Sequence, residues 1–269
     1  MRTLRTIPEL REALGGPRRA GERIGLVPTM GALHGGHVAL LQAAREGCDL
    51  VVMSLFVNPS QFDDRGDLAR YPRNEAADLA SAEAAGVDAV FAPSADELYP
   101  AGFDTWVEPG RLATILEGAA RPGHFRGVAT VCTKLFMIVA PTVAYFGQKD
   151  AQQVAVIRRV VADLDLPVEI VSVPTVRDPD GLALSSRNAF LSPPERTVAL
   201  ALPRALRAGA EAYGDGADPV AVARGVLDDE PTLTVDYVAV GEFDVPTLVA
   251  AVRVGATRLI DNVRLDGSR

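Results

Sequence analysis

Lysine and cysteine are nearly missing from this 269-residue chain, with two of each. Cys48 and Cys132 lie far apart among apolar neighbours, which excludes a disulfide scaffold and a cysteine-based metal framework. Both read as small buried residues. No apolar run reaches the roughly 18 residues of a membrane span. The opening MRTLRTIPELREALGG has no apolar centre of the signal-peptide kind. The expectation is therefore a soluble, cytoplasmic protein with no membrane partner. Positive charge is also in deficit, 27 Lys and Arg against 35 Asp and Glu, for a net charge of −8. A broad nucleic-acid surface needs a basic stripe, so no nucleic-acid partner is expected. A local basic pocket for a phosphate-bearing small molecule remains open.

What is present is ordinary globular usage, 48% hydrophobic and 23% charged, and this excludes disorder as the main state. The length suggests one large domain or two smaller ones. All but two of the basic residues are arginine, a pattern of codon bias. Lys134 and Lys149 are then worth examining for a task that wants a compact point charge.

The first two-thirds alternates strand-like and helix-like segments. Apolar runs at 23–28, 49–57, 87–92, 143–146 and 168–173 read as strands, and 49–57 (DLVVMSLFV) has the near-continuous pattern of a strand covered on both faces. Helical spacing falls at 38–45, 74–85, 128–139 and 151–164. This predicts an α/β fold, a Rossmann-like parallel sheet with helices on both faces, over residues 1–175. Residues 176–269 read as a smaller C-terminal α+β lid domain, joined through the polar stretch 177–187, which is expected to serve as a flexible hinge. It has helices at 194–213 and 219–229 and strands at 235–240 and 258–263, separated by turn material.

Four segments at strand ends carry candidate chemistry. The first is Met30-Gly31-Ala32-Leu33-His34-Gly35-Gly36-His37, between the first strand and first helix. Ligands bind at the carboxyl ends of strands in open parallel sheets, and a helix N-terminus there favours phosphate. Glycines let backbone approach a ligand, and two imidazoles three residues apart can donate to a polyphosphate. The alternative is a glycine-rich turn with two surface histidines. The second is Gly147-Gln148-Lys149-Asp150, followed by Gln153, where Lys149 suits phosphate neutralisation or is simply solvated. The third is Leu184-Ser185-Ser186-Arg187, an anion-binding cluster or a polar linker with a helix cap. The fourth is Asn58-Pro59-Ser60-Gln61, whose amides can orient a hydroxylated substrate in an apolar pocket, or which is a plain Asn-Pro turn. His124 falls in the Gly/Arg stretch 121–127, read as a lid, a subunit contact or an exposed loop.

Taken in order, PTMGALHGGH, FVNPSQF, YPRN, FGQKDAQQ, LSSRN and TRLIDN resemble the pantothenate synthetase (pantoate–β-alanine ligase) family, an HxGH nucleotidyltransferase group, over nearly the whole chain. The resemblance implies ATP-binding segments at Met30 to His37, Gly147 to Asp150 and Leu184 to Arg187, with a backbone contact at Val176. It implies catalytic roles for His37, as proton donor, and for His34, Lys149, Ser185 and Arg187. Gln61 and Gln153 would hold pantoate, and Gln61 would also lie near β-alanine. The helix after YPRN carries Asp78, a candidate for an adenine- or metal-related role, where relatives often have two acids. The implied chemistry is adenylation of pantoate by ATP, with Mg2+ arriving on the phosphates, followed by amide formation with β-alanine, in a homodimer. Two other enzyme readings are a nucleotidyltransferase acting on a phosphorylated acceptor and an aminoacyl-tRNA synthetase, the latter disfavoured by a short, acidic chain. A nucleotide sensor is the non-catalytic alternative.

Overall fold

The structure, a computed structural model, describes residues 1–62 and 65–267 and divides into two compact units. The first contains Met1–Gly147 and Val156–Val173, the second Gln148–Ala155 and Pro174–Arg269.

In the first unit the elements run β1 (Arg2–Leu4), α1 (Ile7–Ala20), β2 (Ile24–Thr29), α2 (Gly35–Gly47), β3 (Leu50–Leu55), α3 (Arg65–Arg70), α4 (Glu75–Ala84), β4 (Ala89–Phe91), α5 (Ala95–Leu98), α6 (Glu117–Ala120), α7 (His124–Val139), β5 (Val143–Gly147), α8 (Ala151–Asp163) and β6 (Glu169–Val173). Helix α8 belongs to the second unit as far as Ala155. The six strands form one parallel sheet in the order β1-β4-β3-β2-β5-β6. Side chains alternate between faces along a strand. Leu26 and Val27 in β2, and Val52 and Met53 in β3, are all fully buried, so both faces are covered. One face packs Val27, Val51, Met53 and Val90 against Leu41 and Ala44 of α2 and Ala82 of α4. Strand order reverses between β2 and β5, which pair through Gly25–Val143 and Leu26–Ala144. Their carboxyl ends are therefore neighbours at the topological switch point, where open α/β sheets bind ligands.

In the second unit α9 (Pro193–Ala199), α10 (Ala201–Gly214) and α11 (Pro219–Asp228) precede an antiparallel sheet of β7 (Leu233–Glu242), β8 (Pro246–Val254) and β9 (Thr257–Arg264). Its core joins Leu202 and Leu206 of α10, Leu227 of α11, and Leu248 and Val252 of β8.

The parallel sheet and the smaller α+β region are as expected, with three differences. β8 is the central strand of its sheet and lies where turn material was expected. Covered from both sides, PTLVAAVRV shows a buried run in place of alternation. The single helix expected over 194–213 is two. Pro203 has no N–H for the carbonyl four residues back, Ala199, and the break falls there. Helix α7 starts at His124, so the 121–127 stretch is not an exposed loop. His124 is 8% exposed and Phe125 2%.

Both cysteines are buried and unbridged, and burial pushes the Cys132 thiol up to about 12. A thiol reacts as its thiolate. The native protein should therefore be inert to a disulfide-exchange reagent at pH 8, with both thiols titrating once guanidinium unfolds it. A fast-reacting native thiol would contradict this burial.

Candidate functional site

The segment after β2 takes its shape from where its N–H groups bond. Gly31 and Ala32 both have positive φ, +85° and +51°. The Thr29 hydroxyl donates to Ser54 O at 2.7 Å and accepts from Gly31 N–H at 3.4 Å. The Asp78 carboxylate accepts from Ala32 N–H at 3.1 Å and from Leu33 N–H at 2.8 Å. His34 is the N-cap of α2, with extended backbone, and its Nδ1 accepts from Gly36 N–H at 3.1 Å. His37 Nδ1 in turn accepts from His34 N–H at 3.3 Å. The two imidazoles are brought together, their centroids 4.1 Å apart. A ring nitrogen that accepts from a backbone N–H holds no proton, so each neutral ring carries its proton on Nε2. Each His is thus a helix cap with an Nε2–H donor.

The turn after β3 fixes Gln61. Asn58, 1% exposed, accepts at Oδ1 from the Tyr99 hydroxyl at 2.9 Å and the Ser60 hydroxyl at 2.8 Å. Burial pushes the Tyr99 phenol up, which keeps it a donor. With donors crowding Oδ1, Asn58 Nδ2 turns to carbonyls, donating to Gln61 Oε1 at 3.0 Å and Gly127 O at 3.2 Å. Gln61 Oε1 is thereby occupied. Its Nε2 lies 3.1 Å from Met30 Sδ, so a residue of the candidate ATP segment and a pantoate candidate meet. His124 Nδ1 contacts Gln61 O at 2.9 Å. A Cβ on Gly127 would lie 2.2 Å from Ser60 O, so α7 approaches this turn as only glycine permits.

In the second unit the 148–150 turn is held from β9. Asn262 Nδ2 donates to Gln148 O at 2.9 Å and to Lys149 O at 2.8 Å. Beside it Asp261, 3% exposed, takes a two-pronged ion pair from Arg177 at 2.6 and 3.1 Å. Lys149 Nζ lies 3.2 Å from Asp150 Oδ1. Gln153 lies half-buried in the first turn of α8. Val176 and Leu184 are brought together by Leu184 N–H donating to Val176 O at 2.9 Å, beside an Arg177–Ala183 bridge. Ser185 Oγ accepts from Arg187 N–H at 3.3 Å and caps the turn Ser186–Phe190. Arg196 pairs with both Asp178 and Asp180. The 177–187 stretch, expected as a flexible joint, is instead a hairpin fixed inside this unit.

A family model described as pantoate-beta-alanine ligase matches residues 2–264. The chain belongs to the pantoate–beta-alanine ligase family. It is 54% identical to pantothenate synthetase 1 of Bradyrhizobium diazoefficiens, over 100% of this chain and 99% of that one. A crystal structure of pantothenate synthetase from Thermus thermophilus matches with TM-score 0.92 and 47% identity, covering 98% of this chain and 99% of that chain. A pantoate-beta-alanine ligase from Francisella tularensis, crystallised with beta-gamma ATP and beta-alanine, matches with TM-score 0.86 and 33% identity, covering 100% and 99%. The family and fold read from the ordered motifs, and the ligase class with them, are met.

Sequence reasoning left the ligase's Tyr99, Gly127 and Asp261 without roles. Asn262 stood in a matching stretch, TRLIDN, but nothing local shows that its amide reaches a turn 113 residues away. Replacing Gly127 with alanine should push α7 off the Asn58–Gln61 turn and cost about 1–3 kcal/mol. Urea unfolding measures this, and a shift under about 0.3 kcal/mol would mean the turn relaxes freely.

Proposed function

We propose that this ligase condenses (R)-pantoate with β-alanine to give pantothenate, AMP and pyrophosphate through a pantoyl-adenylate. The observation that carries the reading is the whole-length family match, joined to the switch-point geometry of the sheet. The strands that lead into MGALHGGH and GQKD are neighbours in that sheet.

On this reading a pantoate carboxylate oxygen attacks the α-phosphorus of ATP. The bond from that phosphorus to the bridging oxygen breaks, and pyrophosphate leaves with its Mg2+, which enters as part of the substrate. Such transfer needs alignment and charge stabilisation more than covalent help. His34 and His37 supply Nε2–H donors, His37 as proton donor to the leaving group. Lys149 supplies an ammonium, which exchanges Asp150 for phosphate oxygens. Ser185, Ser186 and Arg187 take the remaining phosphate contacts, with the backbone of Met30 to Gly36, Gly147, Gln148, Val176 and Leu184 lining the nucleotide.

Gln61, with Oε1 occupied by Asn58, offers Nε2 donors to pantoate, and Gln153 supplies the second amide. The amine of β-alanine, held near Gln61, then attacks the mixed anhydride. The acyl–oxygen bond breaks, AMP leaves, and the amine nitrogen loses a proton to solvent. Water competes for the same carbonyl, so the mixed anhydride has to be held away from solvent until the amine attacks. The enzyme works in the cytoplasm as a homodimer.

AMP release should require ATP, pantoate and β-alanine together, and pyrophosphate exchange should require pantoate but not β-alanine. Exchange with a phosphorylated acceptor in place of pantoate would move the chain to another nucleotidyltransferase class. Lys149→Ala should slow adenylation by about tenfold or more, roughly 1.4 kcal/mol at the transition state. Gln61→Ala should raise the KM for pantoate far more than that for ATP, and the reverse pattern would overturn the pocket assignment.

A further inference from the structure

Asp78 is a buried carboxylate that the chemistry above does not use. It is 4% exposed and lies in the first turn of α4, where the helix N-terminus favours negative charge. Each of its oxygens accepts one of two successive N–H groups, Ala32 to Oδ2 and Leu33 to Oδ1. Those residues follow Gly31, and Ala32 has φ +51°, a conformation that costs a residue with a Cβ about 1–2 kcal/mol. A Cβ at Gly31 would stand 2.8 Å from Asp78 Oδ2 and 3.0 Å from Leu55 Cδ1, so the carboxylate lies tight against the turn.

We propose that Asp78 is the positioning residue for the nucleotide site, holding the left-handed turn at Gly31 and Ala32, and Leu33 after it, through two main-chain hydrogen bonds. The proposal rests on the reading of Met30 to His37 as an ATP segment. Both of its oxygens accept from main-chain donors, the contacts of a residue that holds backbone in place.

The arrangement also determines what this segment offers an anion. The N–H groups of Ala32 and Leu33 go to Asp78, and those of Gly36 and His34 go to imidazole Nδ1 atoms. A phosphate-binding glycine loop ordinarily aims such N–H groups at the ligand. Here they set the backbone, and the anion contacts fall to the Nε2–H groups whose position that backbone decides. Moving Asp78 therefore moves His34 and His37.

The test is pantoate-dependent pyrophosphate exchange on the full chain. Asp78→Asn keeps the shape but cannot accept at both positions. It should lower kcat/KM for ATP by about tenfold or more while leaving KM for pantoate within about twofold and the Mg2+ requirement unchanged. Adding Ala32→Gly, which relieves the positive-φ cost, should recover about threefold of the loss. A folded Asp78→Asn with normal ATP kinetics would overturn the proposal. So would equal losses for ATP and pantoate, a shifted Mg2+ requirement, or no recovery with glycine. Should Asp78→Asn not fold, Gly31→Ala presses on the same contact from the other side and should show the same ATP-selective loss. Wild-type protein without pantoate-dependent exchange would bring down the functional reading itself. Wild-type exchange with unaffected variants would bring down only the role of Asp78.

Discussion

Where β2 stops, its polar backbone has to find partners, because an unsatisfied N–H in a buried setting costs about 1–3 kcal/mol. The partners this chain uses are a carboxylate from α4 and two imidazoles from its own next turn. That choice joins stability to chemistry. An imidazole that caps a helix through Nδ1 has its tautomer fixed and its opposite nitrogen protonated. The capping duty and the donor duty fall to the same rings, so the donors are set before any ligand arrives. Preorganised donors of this kind need no rearrangement as charge develops.

The second unit repeats the logic with different groups. The turn at 148–150 leaves two carbonyls exposed to the interior of its unit, and one amide, Asn262, satisfies both. Asn262 is held through its neighbour Asp261, whose carboxylate accepts the Asn262 N–H at 2.8 Å and the Arg177 guanidinium. Asp261 is almost fully buried, so losing Arg177 would leave a charge without its partner at a cost of about 3–5 kcal/mol. One β9 dipeptide therefore anchors both the lysine turn and the hairpin at 176–187.

The elements that were legible were those whose pattern is local. DLVVMSLFV announces a strand buried on both faces, and β3 is one. HxGH reads as a turn between a strand and a helix, and it links β2 to α2. The same rule misleads for β8, because a buried run with paired alanines carries no alternation and no β-branched excess at its centre. His124 was misread because Arg121-Pro122-Gly123 is loop-forming in composition. Gly123, at φ +83°, starts the helix one residue later and turns His124 inward. Long-range side-chain to backbone bonds, such as Asp78 to Leu33 and Asn262 to Lys149, leave no periodic trace at all.

The two lysines show how far composition reaches. Lys149 pairs with the adjacent Asp150 in a turn at a strand end. Lys134 instead lies 4.7 Å over the Phe103 ring and 5.8 Å over Tyr99, and burial lowers its pKa. Earlier on the same helix, α7, Arg126 lies 4.3 Å over Trp106. Two cations on one helix thus hold an aromatic cluster at 99–106 by their faces, each contact worth about 0.5–2 kcal/mol. The cluster is not remote from the chemistry. Tyr99 belongs to it, and the Tyr99 hydroxyl is the donor that turns Asn58 Oδ1 away from Gln61. Rarity flags both lysines equally. Only the geometry separates the one that stands in a strand-end turn from the one that braces, through a phenol and an amide, the glutamine of the Asn58–Gln61 turn.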